Sequence, residues 1–424
     1  MMGDGEPLAT CTEGSMNDAP IEVWHGITRL VRGGAQGVVL DLLAGLDRTR
    51  FRPVLVSGEE TGAEGSLWDE AEALEIELIR IPTLVRAVSP LDDWRALRTL
   101  TRLLRERRPP LVHAHTSKAG FLLCRAARRA KIEGIVFSPH GHIAGASAEI
   151  PGVPKRGLKR RVLATLARQS SRDAHAVLCP NGTERAEGVA HRMWSEEKSI
   201  VVPNGIDIAR FAPTDRIAAR QEIGIPKDAP TIGVVARLTR EKGVDLAVEA
   251  LAQIEVPGTQ LVLVGDGPER ESLEALAKTR GIADRVTFLG MRDDVARLYS
   301  AFDVLAVPSR TEAHGLVAAE ALACEVPVVA AEVGGLQSIV EPERCGAFFP
   351  AGDSAALAKS LTRILEDPPW AERLGRAGRR VVVERWSKEA MLAGTEELYD
   401  RLLKSASAKR GTDATPTQTA RTTA

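Results

Sequence analysis

The sequence predicts an α/β protein with two doubly wound parallel sheets, and three observations carry that reading. Short apolar runs alternate with amphipathic helical stretches from Ile21 onward. Glycine-rich or polar connections follow the runs, where strand ends of such a fold open into a cleft. At 424 residues the chain is too long for one ordinary core, so two domains are expected.

Residues 1–20 are poor in apolar side chains and are expected to be disordered. Ile21–His25 begins the first strand, Gly26–Gly37 is a glycine-rich turn, Val38–Leu46 a helix and Phe51–Ser57 the next strand. This is the opening of a Rossmann-like unit, without the G-x-G-x-x-G spacing of a dinucleotide site. Gly33 and Gly34 make a tight turn, or let the backbone approach a phosphate or a sugar. Trp94–Arg108 is a basic amphipathic helix. Leu111–His115, Ile135–Ser138, Ala174–Pro180 and Ser199–Asn204 read as strands, with helices over Lys118–Ala130 and Gly182–His191. His113, His115, His140 and His142 fall at strand ends, so at least one is expected to be functional. They lack the helical i, i+4 spacing and the carboxylate partner of a zinc pair, and no metal is expected.

In the second half, Thr231–Ala236 is a strand, Arg237–Gly243 a basic loop and Val244–Ile254 a helix. Arg237 and Lys242 stand where cations reach a phosphate at a sheet end; alone, they would read as solvated loop residues. Gln260–Val264 and Val286–Gly290 are strands, and the end of the latter, at Leu289, would border a flat base. Val304–Val307 is a buried strand, Ser309–Glu312 a polar loop, and Gly315–Leu316 opens an Ala- and Leu-rich helix. Such a helix start offers unpaired N–H groups and the positive end of its dipole, a seat for a diphosphate. Glu312 then lies on the loop beside it and Glu320 about two turns inside. Val328–Ala331 and Ala347–Phe349 are further strands, Trp370–Arg385 and Ser387–Leu403 helices, and 404–424 a disordered tail.

Composition narrows the function. Residues 21–205 hold 28 of the 56 Lys and Arg but 21 of the 57 Asp and Glu, so a basic half precedes an acidic one. From Asp93 to Arg172 there are 18 basic and 4 acidic residues. The 155–172 segment is either a solvated helix or a surface for anionic lipid headgroups. With aromatics at 4%, stacking on nucleic acid is not expected. Five scattered cysteines fit a reducing cytoplasm, and no apolar run has the length of a membrane span. The expected location is cytoplasmic, peripheral on the inner face of the plasma membrane if the basic segment binds lipid.

Taken together, GGAQ at Gly33–Gln36, HAHTSKAG at His113–Gly120, PHGH at Pro139–His142, VPNGID, the Arg237–Lys242 loop, GDGP, FLG and the Glu312/Glu320 pair resemble the retaining nucleotide-sugar glycosyltransferases of family 4. The resemblance spans Ile21–Leu403 and is strongest to the branch that builds surface polysaccharides or lipid-linked glycans. It implies the GT-B fold: an acceptor-side domain over 21–205, a nucleotide-sugar domain over 206–386, and a helix, 387–403, crossing back. It also implies metal-independent transfer to a glycan or lipid-linked hydroxyl with retention, no cofactor, and a nucleoside diphosphate sugar, with UDP preferred. By position, Arg237 and Lys242 would neutralise the diphosphate, Glu312 bind the sugar, Glu320 the ribose, and His140 touch the sugar near the reacting carbon. Gly33, Gly34, Leu289, His314, Gly315 and Leu316 would complete the donor site, and His113, His115, Lys118 and His142 the acceptor side. A non-hydrolysing epimerase and an inactive nucleotide-sugar-binding subunit are the competing readings.

Two positions depart from the family pattern. Ala313 and His314 replace the usual glycine and aromatic or aliphatic residue, which bears on sugar preference. Glu325 stands where glycine is usual and is expected to be strained at positive φ.

Overall fold

The computed structural model describes residues 19–59, 62, 65–141 and 158–413. The leader up to residue 18, His142, Lys155, Arg156 and the tail beyond residue 413 lie outside them, as do the side chains of Lys159 and Arg160.

Seven strands form the first sheet: β1 (Ile21–Arg29), β2 (Phe51–Gly58), β3 (Glu77–Arg80), β4 (Leu111–His115), β5 (Gly134–Ser138), β6 (Ala176–Cys179) and β7 (Ser199–Val201). Six form the second: β8 (Thr231–Val235), β9 (Gln260–Val264), β10 (Val286–Gly290), β11 (Val304–Val307), β12 (Val328–Ala331) and β13 (Gly346–Phe349). The orders are β3-β2-β1-β4-β5-β6-β7 and β10-β9-β8-β11-β12-β13, with parallel pairing throughout. Each order reverses once, between β1 and β4 and between β8 and β11. There the loops leaving the carboxyl ends diverge, and a crevice opens.

The strands are apolar on both faces because helices cover both. Leu305 and Val307 of β11 enter one core cluster of the second domain, Val304 and Ala306 the other. In the first domain, Val23, Phe51, Leu111 and Val136 pack on the helix Gly34–Gly45 and on Met391, Leu398 and Tyr399 from the chain's last helix. That helix is tied down by Arg50, which bonds Glu396 at 2.9 Å and Asp400 at 2.7 Å. The chain passes between the sheets where Ile206 N donates to Trp386 O (2.8 Å) and Lys388 N to Ile206 O (3.0 Å). Gly205 sits so close to this crossing that a Cβ would stand 2.5 Å from the Ser387 carbonyl oxygen.

Three expectations are corrected. β1 runs on to Arg29, because Gly26 serves packing and not a turn: a Cβ there would meet Leu123 Cδ2 at 2.3 Å. The following helix starts at Gly34, not Val38. The last helix continues to Asp413, where disorder was expected from residue 404. Glu325 has φ 62°, the positive value expected of it.

Candidate active site

The loops leaving β8 and β11 are clamped together. Arg310 N donates to Glu241 O at 2.8 Å, and its guanidinium grips both Asp245 oxygens at 2.8 and 2.7 Å. Gly243, at φ 64°, lies against Pro308, and a Cβ would fall 2.1 Å from the Pro308 carbonyl oxygen. So close an approach admits no side chain. The clamp aims Lys242 across the switch point: its Nζ is 2.7 Å from Glu312 Oε2, which also accepts from Ser309 Oγ at 3.0 Å. Burial would raise the Glu312 carboxyl, but the Lys242 charge and the hydrogen bonds from Lys242 and Ser309 outweigh it and hold it below its ordinary value.

Directly after Glu312 the chain turns at Gly315, φ 75°, into the helix Leu316–Ala323, which no side chain caps. A Cβ on Gly315 would lie 2.7 Å from Leu336 Cδ2. The helix mouth thus keeps its first N–H groups for a ligand. Glu320 sits one turn in rather than two and accepts from Tyr299 Oη at 2.7 Å. Burial raises its carboxyl above the usual range, partly offset by Tyr299 and Arg210. Arg237 is more peripheral than expected: its side chain is 60% exposed and pairs with Glu241 at 3.6 Å, outside the Lys242–Glu312 pair. Leu289 lies near the end of β10, two strands from β8, packed against the second-domain core.

The first domain closes over this segment. The Cβ position of Gly34 is 4.0 Å from Leu316 Cδ1, that of Gly141 is 3.5 Å from Ala313 Cβ, and Asn181 Nδ2 donates to Ala313 O at 3.1 Å. The His140 and His314 rings stand edge to face, 6.0 Å between centroids. Gly33, adjoining Gly34, has extended backbone and precedes the helix Gly34–Gly45. Both ring nitrogens of His314 are buried without a hydrogen-bond partner of normal geometry. Burial lowers its pKa, while the Glu312 charge and the His140 carbonyl favour the protonated ring. Buried nitrogens left unpaired are costly, and a bound group that reached them would lift that cost.

The acceptor-side candidates are largely internal. His113 and His115 are fully buried with both nitrogens of each ring engaged, and only His140 carries their chain toward the cleft. Lys118 donates to the Ala87 carbonyl and pairs with Asp93 at 2.5 Å, so it braces the helix Pro90–Arg107. His25, His113 and His115 bring ligand nitrogens within 4.8 Å of one another. All six nitrogens already have hydrogen-bond partners, which a cation would have to displace.

Several residues at the site escaped sequence reasoning: Ser309, Tyr299, Asn181 and Glu184. Glu184 is buried beside Gly141, and burial pushes its carboxyl up to about 8. Asn181 accepts from Glu184 N at 2.7 Å, and that Asn-x-x-Glu helix-start spacing was the signal available.

Two facing Rossmann-like domains thus bring charged groups at one switch point toward histidines at the other, the arrangement of a two-domain enzyme with its site in the cleft between them. Residues 32–210 match the glycosyltransferase family 4 model and residues 215–381 the glycosyl transferases group 1 model. Over 381 residues the chain is 31% identical to a GDP-mannose-dependent alpha-(1-6)-phosphatidylinositol monomannoside mannosyltransferase of Mycolicibacterium smegmatis, covering 87% of this chain and 94% of that one. A D-inositol 3-phosphate glycosyltransferase of Xylanimonas cellulosilytica is 33% identical over 309 residues, 70% of this chain and 67% of its own. Among solved structures, the sucrose-phosphate synthase of Thermosynechococcus elongatus superposes with TM-score 0.76 at 26% identity, over 91% of this chain and all of that one. The chain belongs to the group 1, family 4 glycosyltransferases and has their GT-B architecture.

Proposed function

We propose that the chain transfers a hexosyl group, with retention and without a metal, from a nucleoside diphosphate to a hydroxyl of a glycan or lipid-linked acceptor. The observation that carries the reading is the Lys242–Glu312 pair beside an uncapped helix mouth, with the unpaired His314 nitrogens adjoining. As the anomeric bond breaks, charge builds on the leaving diphosphate. Lys242, Arg237 and the helix mouth would stabilise that charge more in the transition state than in the bound donor. Glu312 is held ionised to accept from sugar hydroxyls, and Glu320, one turn into the helix, would bond the ribose. Metal independence is supported by the engagement of every nitrogen in the histidine cluster.

For the donor we infer GDP-mannose in place of the UDP-sugar preferred from sequence, because the relative covered over 94% of its length is named for GDP-mannose. Both named relatives act on acceptors containing inositol and phosphate, which supports a phosphorylated polyol, free or lipid-borne, as acceptor.

A membrane partner is supported by the helix Pro90–Arg107 more than by the 155–172 segment. Leu91 and Trp94, more than half exposed, continue into exposed Arg95, Arg98, Arg102 and Arg105 along one stripe at helical spacing. No described helix is long and apolar enough to cross a membrane. Incubation with GDP-mannose and UDP-sugars, followed by mass and anomeric analysis of products, tests donor and retention together. Release of neither diphosphate with any acceptor would remove the proposal. Failure to co-sediment with anionic vesicles at low salt would remove the membrane part alone.

A further inference from the structure

Behind His140 runs a continuous buried chain of hydrogen bonds. His140 Nε2 meets His115 Nδ1 at 3.0 Å, and His115 Nε2 meets His25 Nδ1 at 3.2 Å. His25 Nε2 meets Tyr399 Oη at 3.3 Å, Tyr399 Oη meets His113 Nδ1 at 2.7 Å, and His113 Nε2 meets Ser138 Oγ at 2.7 Å. The ladder register sets this up: His25 pairs with His113 and His115 with Ser138, so the imidazoles share one face of the sheet. Tyr399 comes from the last helix, 286 residues beyond His113.

Burial holds the four rings neutral, with the neighbouring imidazoles adding to the effect at His113, His115 and His140. A neutral imidazole has one N–H and one lone pair, and each hydroxyl has one hydrogen. Every link needs one hydrogen, so a ring that donates toward Ser138 forces its neighbour to do the same. Three arrangements satisfy all five links. The first has His25 and His113 both donate to Tyr399 Oη and strands the tyrosine's own hydrogen; the remaining two run in opposite senses. In one, His113 donates to Ser138, whose own hydrogen then has no acceptor among the described residues. In the other, Ser138 donates to His113, His113 to Tyr399, Tyr399 to His25, His25 to His115, and His115 to His140. Six hydrogens serve five links, so each arrangement leaves one over: on buried Ser138, on buried Tyr399 or, in the second sense, on half-buried His140 beside the cleft. A stranded donor costs least there, and the second sense is preferred.

We propose that Tyr399 is a positioning residue: it relays the Ser138 bias through the histidines, so that His140 carries its proton on Nδ1 and presents an N–H donor to the ligand in the cleft. His140 Nδ1 has no partner among the described residues, and His140 sits at φ 52° opposite His314. The assignment of a donor sugar or diphosphate as that ligand rests on the proposed function; the proton order does not.

The full chain with 15N-labelled histidine reports the tautomer directly by long-range 1H–15N correlation. His140 is expected as the Nδ1–H form, converting to a mixture in Tyr399→Phe, with Ser138→Ala as the second variant should the first not fold. An Nε2–H ring in the unsubstituted protein, or no change in either variant, overturns the proposal whether or not transfer is observed. Kinetically, Tyr399→Phe should lower kcat about tenfold with KM little changed. In a His140→Asn background, whose amide N–H takes the Nδ1 position without the chain, the same substitution should have no further effect. An equal loss in both backgrounds would show Tyr399 to be merely structural and overturn the relay.

Discussion

The two switch points have the same topology and opposite chemistry. Between β8 and β11 the groups are ionic: Lys242 against Glu312 and Arg310 against Asp245, where two connections are clamped backbone to backbone. Between β1 and β4 they are neutral, buried imidazoles linked only by hydrogen bonds. A sheet end that must hold a diphosphate needs fixed charge. The facing end carries no fixed charge, so what its groups can offer a ligand depends on where their protons sit.

The comparison breaks or sharpens under four changes, taken from the largest effect down. Lys242→Ala removes the cation nearest Glu312, and turnover should fall on the order of a thousandfold while circular dichroism stays native. Near-normal turnover would show that the ionic end does not serve catalysis. Gly243→Ala places a Cβ where the Pro308 carbonyl lies and forces positive φ, so it should cost about 2–3 kcal/mol in urea unfolding and weaken donor binding with it.

The neutral end should reveal itself through pH. His25 and His140 are lowered to about 3 by burial, and His113 and His115 also lie well below their ordinary value. Their folded pKa values lie below the unfolded ones, so the unfolded chain binds protons first. Stability is then full above the unfolded value of about 6.5 and falls as pH drops below it, by about 1 kcal/mol per histidine at pH 5.5. Urea midpoints at pH 7.5 and 5.5, with His115→Gln as the flattened control, measure this; a pH-independent midpoint contradicts neutral burial. Glu325→Gly lies outside both ends and should add at most about 1 kcal/mol by relieving positive φ, with kcat unchanged.

The ionic end was legible because each of the two segments that meet there carries its own local pattern. Strand, polar loop and helix from Val304 to Ala323 lie in one stretch, and the β11 bounds match the apolar run residue for residue. The neutral end was only half legible. Histidines at strand ends could be seen, but Tyr399 joins them from the far end of the chain, and no local spacing encodes a contact over that separation. The edge strand β3 gave no signal either, since it is four residues long with its two central residues only half-buried. Arg237 was expected at the diphosphate; here its side chain pairs with Glu241, a partner that loop position alone does not reveal.

Met391, Leu398 and Tyr399 fill one face of the sheet that opens at residue 21. During synthesis the first domain therefore emerges with that face unfinished, and it stays so until residues 391–399 have left the ribosome. A nascent chain stopped short of the last helix would expose a greasy, histidine-lined surface, a natural target for chaperones. Proteolysis near residue 387 would unseal the domain farthest from the cut in sequence.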